Sequence, residues 1–67
     1  MQIKEIKENR KLYKDLLLLA DEEEKMVDKY INKGKMFILE KNNKVIGEIL
    51  VIEIDNETLE IKNLATD

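Results

Sequence analysis

Val45-Ile46-Gly47-Glu48-Ile49-Leu50-Val51-Ile52-Glu53-Ile54 is the stretch whose reading decides the fold. Consecutive strand residues point to opposite faces, so a strand with one wet face alternates apolar and polar, whereas an unbroken apolar run marks a strand covered on both sides. Ile49, Leu50, Val51 and Ile52 form such a run. The rest of the chain supplies about two short helices and two or three further strands, enough to cover one face. Residues 1–67 are therefore read as a single partial domain. What covers the second face is expected to be another chain, a second copy of this one, or a further segment.

Composition bounds the rest. A chain of about 60 residues buries only ~60% of the surface its unfolded form exposes, so stability is expected to be marginal. Three aromatics, Tyr13, Tyr30 and Phe37, make a thin core, yet Leu, Ile, Val and Met are frequent enough beside 40% charged residues to exclude a disordered tail. Without Cys there is no disulfide framework or thiolate site. The longest apolar stretch, Leu16 to Ala20, falls far short of the roughly 20 residues of a membrane span, and the N-terminus lacks an apolar signal core. The expectation is a soluble, cytoplasmic protein with no membrane association. Net charge is −3, with Lys4, Lys7, Arg10, Lys11 and Lys14 followed by Asp21-Glu22-Glu23-Glu24. Phosphate backbones require a net basic face, so nucleic acid is not an expected partner.

Along the chain, Gln2 to Lys7 reads as a short edge strand. From Asn9 the period lengthens: Leu12, Leu16, Leu19 and Ala20 form a helical stripe widened by Tyr13 and Leu17, which predicts a helix over Asn9 to Ala20. Asp21 followed by Glu24 resembles a capping box that opens a second helix with the stripe Met26, Val27, Tyr30 and Ile31, and Gly34 suits a left-handed C-terminal cap. One long helix from Asn9 to Lys33 is the rival. Met36 to Leu39 reads as a strand, Asn42-Asn43 as a tight hairpin turn, because Asn tolerates positive φ, and Asp55-Asn56-Glu57 as a second turn. Gly47 marks a bulge or a close approach by another group. In the last strand Leu59 and Ile61 share a parity with Asn63, but the next apolar residue is Leu64. One extra residue in a β-bulge produces such a switch; a second apolar layer against Leu64-Ala65 is the alternative.

Absence of His, Cys and Ser removes Ser-His-Asp and Cys-His catalysis and zinc sites, and two distant Gly make neither a P-loop nor a dinucleotide fingerprint. Consecutive helical carboxylates at Asp21 to Glu24 fan around the axis and do not converge on a metal. Carboxylates, lysines, tyrosines and main-chain groups are left to carry chemistry. Glu60, a strand glutamate, is of the type that acts as general base, and otherwise faces solvent. Tyr30 lies in the helical stripe, which favours packing over proton donation.

The order strand, helix, helix, strand, strand, strand, with Lys44-Val45-Ile46-Gly47-Glu48 and Leu59-Glu60-Ile61-Lys62-Asn63-Leu64-Ala65-Thr66-Asp67, resembles the N-terminal half of a GNAT-superfamily N-acetyltransferase over nearly the whole chain. The resemblance implies an α+β half-domain, β1-α1-α2-β2-β3-β4, with an antiparallel β2-β3-β4 meander and two helices packed on the sheet. It implies that the Leu64, Ala65 and Thr66 main chain sits at a bulge that contacts the pantetheine arm and acetyl carbonyl of acetyl-CoA. Glu60, four residues before Leu64, matches the position of a catalytic glutamate in some members, where it accepts a proton from the acceptor amine. Residues around Tyr30 and Phe37 would border the acceptor side. The family's Gln/Arg-x-x-Gly-x-Gly/Ala phosphate loop and general-acid tyrosine do not occur among these residues.

The leading expectation is thus the N-terminal portion of an acetyl-CoA-dependent N-acetyltransferase acting on a small-molecule or peptide amine, inactive unless a C-terminal half is supplied. An alternative is a noncatalytic α+β interaction module that homodimerises through its sheet. A third is a subunit that binds an acyl carrier or CoA-containing partner without turnover.

Overall fold

In the computed structural model, which describes all residues from Met1 to Asp67, the elements run β1 (Gln2–Ile6), a 3-10 turn (Arg10–Tyr13), α1 (Lys14–Ala20), α2 (Glu24–Tyr30), β2 (Lys35–Lys41), β3 (Lys44–Asp55) and β4 (Thr58–Thr66). The strands form one antiparallel sheet in the order β1-β2-β3-β4, so the expected meander is present and β1 and β4 are its edges. Both helices lie on one face. Leu17, Val27, Tyr30 and Ile31 from the helical layer close over Met36, Ile38 and Leu50 from the sheet.

The run in β3 divides as its composition demands. Leu50 and Ile52 point into the helical layer, while Ile49 and Val51 share the other face with Phe37 and Leu39. No residue of the chain covers that second face, and its margins are open to solvent, from 55% exposure at Leu64 to 70% at Ile3. An apolar sheet face left this open is the property the sequence anticipates.

Turn chemistry follows the sequence closely. Asn42 and Asn43 both adopt positive φ, 54° and 64°, the twist that a two-residue hairpin between right-twisted strands requires. At the second hairpin the Glu57 N–H donates to Asp55 Oδ1 at 2.8 Å. The β2–β3 register slips between Leu39 and Glu40, placing Ile46 as an extra residue beside Gly47, so the bulge reading of that glycine holds. A Cβ on Gly47 would also sit 3.1 Å from the Ala65 carbonyl oxygen. Gly34 has φ +59°, and a Cβ there would collide with the Val51 carbonyl oxygen.

Two helix expectations need correction. The predicted helix from Asn9 begins as a 3-10 turn after Asn9 in the left-handed region (φ 56°), and becomes α-helical only at Lys14. Tighter winding at three residues per turn shifts the phase of the stripe. Arg10, Tyr13 and Leu17 face inward, and Leu12 and Leu19 are 75% and 62% exposed. Nor does Asp21 cap α2: Glu23 occupies the N-cap without a side-chain bond, while Asp21 Oδ1 accepts from the Glu23 N–H at 3.1 Å. Its other oxygen is taken by Tyr30, and Glu24 turns to Lys14, which also pairs with Asp28 at 2.7 Å and so bridges α1 and α2. Two separate helices are nonetheless present.

Arg10 was grouped by sequence with the basic surface, yet it is buried. Its Nε donates to the Ile6 carbonyl (2.9 Å), Nη1 to Ile31 (3.1 Å) and Lys33 (2.8 Å), and Nη2 to Gly34 (2.9 Å). One guanidinium thus ties the end of β1 to the carbonyls behind α2, where the helix dipole favours a cation.

Candidate functional site: the β4 bulge

β4 pairs with β3 as Ile49↔Leu64, Leu50↔Asn63 and Val51↔Ile61, leaving Lys62 as the extra residue. This is the bulge that the parity switch predicts. Its effect is to turn Asn63 and Ala65 into the helical layer, where both are buried, and Leu64 outward. The Asp67 N–H donates to the Ile46 carbonyl at 2.9 Å. Ladder bonds of an antiparallel pair use alternate residues, so Ala65 bonds inward as Asp67 does, and Leu64 and Thr66 direct their main-chain N–H and C=O groups to the open edge.

The anticipated residues therefore divide by role. Leu64 and Thr66 offer edge main-chain donors, and Ala65 a small buried side chain. Glu60 lies on the other side of the bulge, opposite Ile52, with its carboxylate in solvent and 3.9 Å from the Lys62 ammonium. Tyr30 and Phe37, expected to border one acceptor site, lie on opposite faces of the sheet: Tyr30 is in the core, and Phe37 lines an outer-face hollow with Val51 and Leu59. The strand pleat separates them. Near the end of β4, Leu12, Leu16 and Leu19 with Val45 and Asp67 line an open groove of about 470 Å³.

Beneath the bulge runs a buried polar chain. Asn63 Nδ2 donates to the Leu17 carbonyl (3.0 Å) and to Tyr30 Oη (2.8 Å), and Tyr30 Oη donates to Asp21 Oδ2 (3.0 Å). Burial holds the Tyr30 hydroxyl above its ordinary pKa; the Asn63 N–H opposes this and the Asp21 carboxylate reinforces it, so Tyr30 remains a proton donor. The Lys62 ammonium lies 5.5 Å from the centre of the Tyr30 ring.

Glu48, across the ladder from Ala65, is fully buried and neither oxygen reaches a hydrogen-bond donor. Burial pushes its pKa up to about 7, tempered slightly by the nearby Ala65 main-chain N–H. Glu48 and Asn63 were not singled out from the sequence as polar groups of the site. The signal for Glu48 was available: it shares strand parity with Leu50 and Ile52, so a buried face for those residues buries the carboxyl as well.

No family model matches the chain. A search of curated proteins finds the uncharacterized N-acetyltransferase YvbK of Bacillus subtilis, 35% identical over 57 residues, which is 85% of this chain but 36% of that protein. Among solved structures, a GNAT family acetyltransferase from Elizabethkingia anophelis with acetyl-CoA bound matches with a TM-score of 0.86 and 35% identity, over 97% of this chain and 42% of that one. A Bacillus subtilis acetyltransferase in complex with CoA matches at 0.85 with 29% identity, over 98% of this chain and 43% of that one. An IAA acetyltransferase from Bacillus cereus matches at 0.78 with 29% identity, covering 97% and 44%. The chain thus spans well under half the length of the proteins it matches. By sequence and by fold the chain belongs to the GNAT acetyltransferase family, and it corresponds to the N-terminal part of that fold, from first strand to fourth.

Proposed function

We propose that the chain forms the β1-to-β4 portion of an acetyl-CoA-dependent N-acetyltransferase, transferring an acyl group to an amine, and that it turns over only when a further half is supplied. The observation that carries this reading is the β4 bulge, which leaves Leu64 and Thr66 main-chain groups at an open sheet edge. A pantetheine arm carries amide and carbonyl groups, and an exposed strand edge recognises an extended chain of that kind by main-chain hydrogen bonds. The surroundings fit such a ligand: Ala65 is small, and opposite Thr66 stands Gly47, so no bulky side chain flanks the edge from β3 at this point. Acetyl-CoA, when bound, supplies the activated thioester. Leu64 and Thr66 hold and orient the arm, and the Leu64 N–H is the donor for the acyl carbonyl.

Two carboxyls compete for the role of base. Glu48 is fully buried and out of reach of an amine arriving from water, so the role falls to Glu60, which is open to solvent. Glu60 and Leu64 stand roughly 10–13 Å apart along the strand at about 3.3 Å per residue, so the proton leaves the amine through intervening water. The phosphate loop of the family is not among these residues, so affinity for the pyrophosphate has to come from the supplied half.

The test is a titration of ¹⁵N-labelled protein with acetyl-CoA. The Leu64 and Thr66 amide signals are expected to move, and adenosine 3′,5′-diphosphate alone should leave them in place. Unmoved Leu64 and Thr66 signals at millimolar acetyl-CoA would overturn the reading.

The uncovered outer face favours a second reading, a module that homodimerises through its sheet. Mass in solution separates the two: a stable dimer that ignores acetyl-CoA supports the module.

A further inference from the structure

The chain Asn63 to Tyr30 to Asp21 has a single direction. The Tyr30 proton is committed to Asp21 Oδ2, so the Tyr30 oxygen can only accept from Asn63. Reversing the Asn63 amide would set its oxygen against two acceptors, the Leu17 carbonyl and that same hydroxyl, which fixes the amide's orientation. Asp21 is held in turn by the Glu23 N–H. The result is a set of committed bonds running from the end of α1, the 21–23 connection and the last residue of α2 into one side chain of β4.

That side chain stands at a decisive place. Asn63 is the second bulge residue, and the peptide it shares with Leu64 contains the Leu64 N–H. A peptide unit is planar, so fixing the Asn63 side chain and carbonyl fixes the direction of that N–H. Apolar residues could fill the same volume without the cost of burying polar atoms. A directed polar chain adds what they cannot, a single allowed arrangement, even though the buried Asn63 Oδ1 itself has no partner. Lys62 alone does not supply it, because its side chain is partly in solvent.

We propose that Asn63 and Tyr30 are positioning residues, which orient the Leu64 N–H at the open edge of β4 toward the acyl carbonyl of a bound acyl-CoA thioester. The inference rests on the acetyltransferase reading for its ligand, and on the hydrogen-bond chain for its geometry. Neither residue touches the reacting atoms.

The experiment compares Tyr30→Phe and Asn63→Leu with Ile31→Val, a core substitution of comparable effect on stability that leaves the chain intact. Two quantities are measured on the 67-residue chain. Residual dipolar couplings, without ligand, report the Leu64 N–H direction; both chain variants should alter it and Ile31→Val should not. Affinity for acetyl-CoA should fall about tenfold or more in Tyr30→Phe and Asn63→Leu, and stay within about twofold of the parent in Ile31→Val. Parent-like couplings and affinity in Tyr30→Phe, or losses matched by Ile31→Val, would overturn the inference. Should the parent itself fail to bind acetyl-CoA at Leu64 and Thr66, the acetyltransferase reading falls, and the couplings alone then decide whether Asn63 and Tyr30 hold that N–H. If Asn63→Leu does not fold, Tyr30→Phe, which removes one oxygen, decides.

Discussion

Glu48→Gln isolates the one carboxyl that the fold buries without a partner. Its ordinary pKa of 4.5 rises to about 7 in the folded chain, with burial as the main cause. Below pH 4.5 both folded and unfolded chains hold the proton and the carboxyl contributes its full stability. Between 4.5 and about 7 the unfolded chain releases the proton while the folded chain keeps it, so stability falls as pH rises, and above 7 it levels off at the lower value. At about 1.4 kcal/mol for each pH unit, the gap sets an upper bound of about 3.4 kcal/mol. A single helical layer over the sheet lets water and side chains relax around the charge, which lowers the expectation to about 2 kcal/mol. Gln keeps the shape and cannot ionise. Urea unfolding followed by circular dichroism from pH 4.5 to 8.5 should show the variant close to the parent at the acid end and about 2 kcal/mol more stable at the alkaline end. Taking the difference between the two proteins cancels the titration of every shared group. A difference that does not change across this window would refute the burial argument.

Three further outcomes follow from the packing. Arg10→Met leaves the carbonyls of Ile31, Lys33 and Gly34 without their donor and should cost about 2–3 kcal/mol in thermal or urea unfolding, with Arg10→Lys recovering only part because an ammonium cannot span the same fork. Gly34→Ala combines positive φ with a collision against the Val51 carbonyl and should cost more than Gly47→Ala, whose added carbon meets the Ala65 carbonyl at 3.1 Å; differential scanning calorimetry of the two variants ranks them. Leu50→Asp buries an unpaired charge between sheet and helices and should abolish the folding transition, whereas Ile49→Lys, on the uncovered face, should keep a cooperative transition close to the parent's by circular dichroism.

What could be read from the sequence was what depends on local chemistry. Asn42-Asn43 supplies a turn by its own tolerance of positive φ, and Gly34 marks a left-handed position in the same way. The two-sided run of β3 and the parity switch of β4 are patterns with a period of two, which survive in a sequence because a strand has only two faces. Phase in a helix is less legible. Leu12, Leu16 and Leu19 make a sound stripe at 3.6 residues per turn, but the left-handed Asn9 and the 3-10 turn after it rotate the segment so that Arg10, Tyr13 and Leu17 face the sheet. Arg10, Glu48 and Asn63 escaped notice for a shared reason: each is buried by partners far along the chain, and polar residues carry a strong surface prior. The role of Glu60 depends on what approaches it, and its own neighbours, Lys62 and solvent, do not decide it.

The bulge in β4 joins these levels. Were Lys62 an ordinary ladder residue and not an extra one, strict alternation from Ile61 would place the Asn63 side chain on the same face as Val51, and bring Leu64 and Thr66 toward the helices. Asn63 would then face outward, away from Tyr30 and Leu17, and the residues directing main-chain groups to the open edge would change as well, since the ladder alternates with the same period as the side chains. A single extra residue therefore does two things at once: it brings an amide under the helices, and it sets which N–H groups remain unpaired at the sheet edge. That coupling gives a physical reason why a hydrogen bond between Asn63 and Tyr30 bears on a ligand neither residue touches. A ligand lying along β4 would meet donors whose direction is set from behind the strand, by α1 and α2, so a shift of those helices would alter how the strand edge holds it.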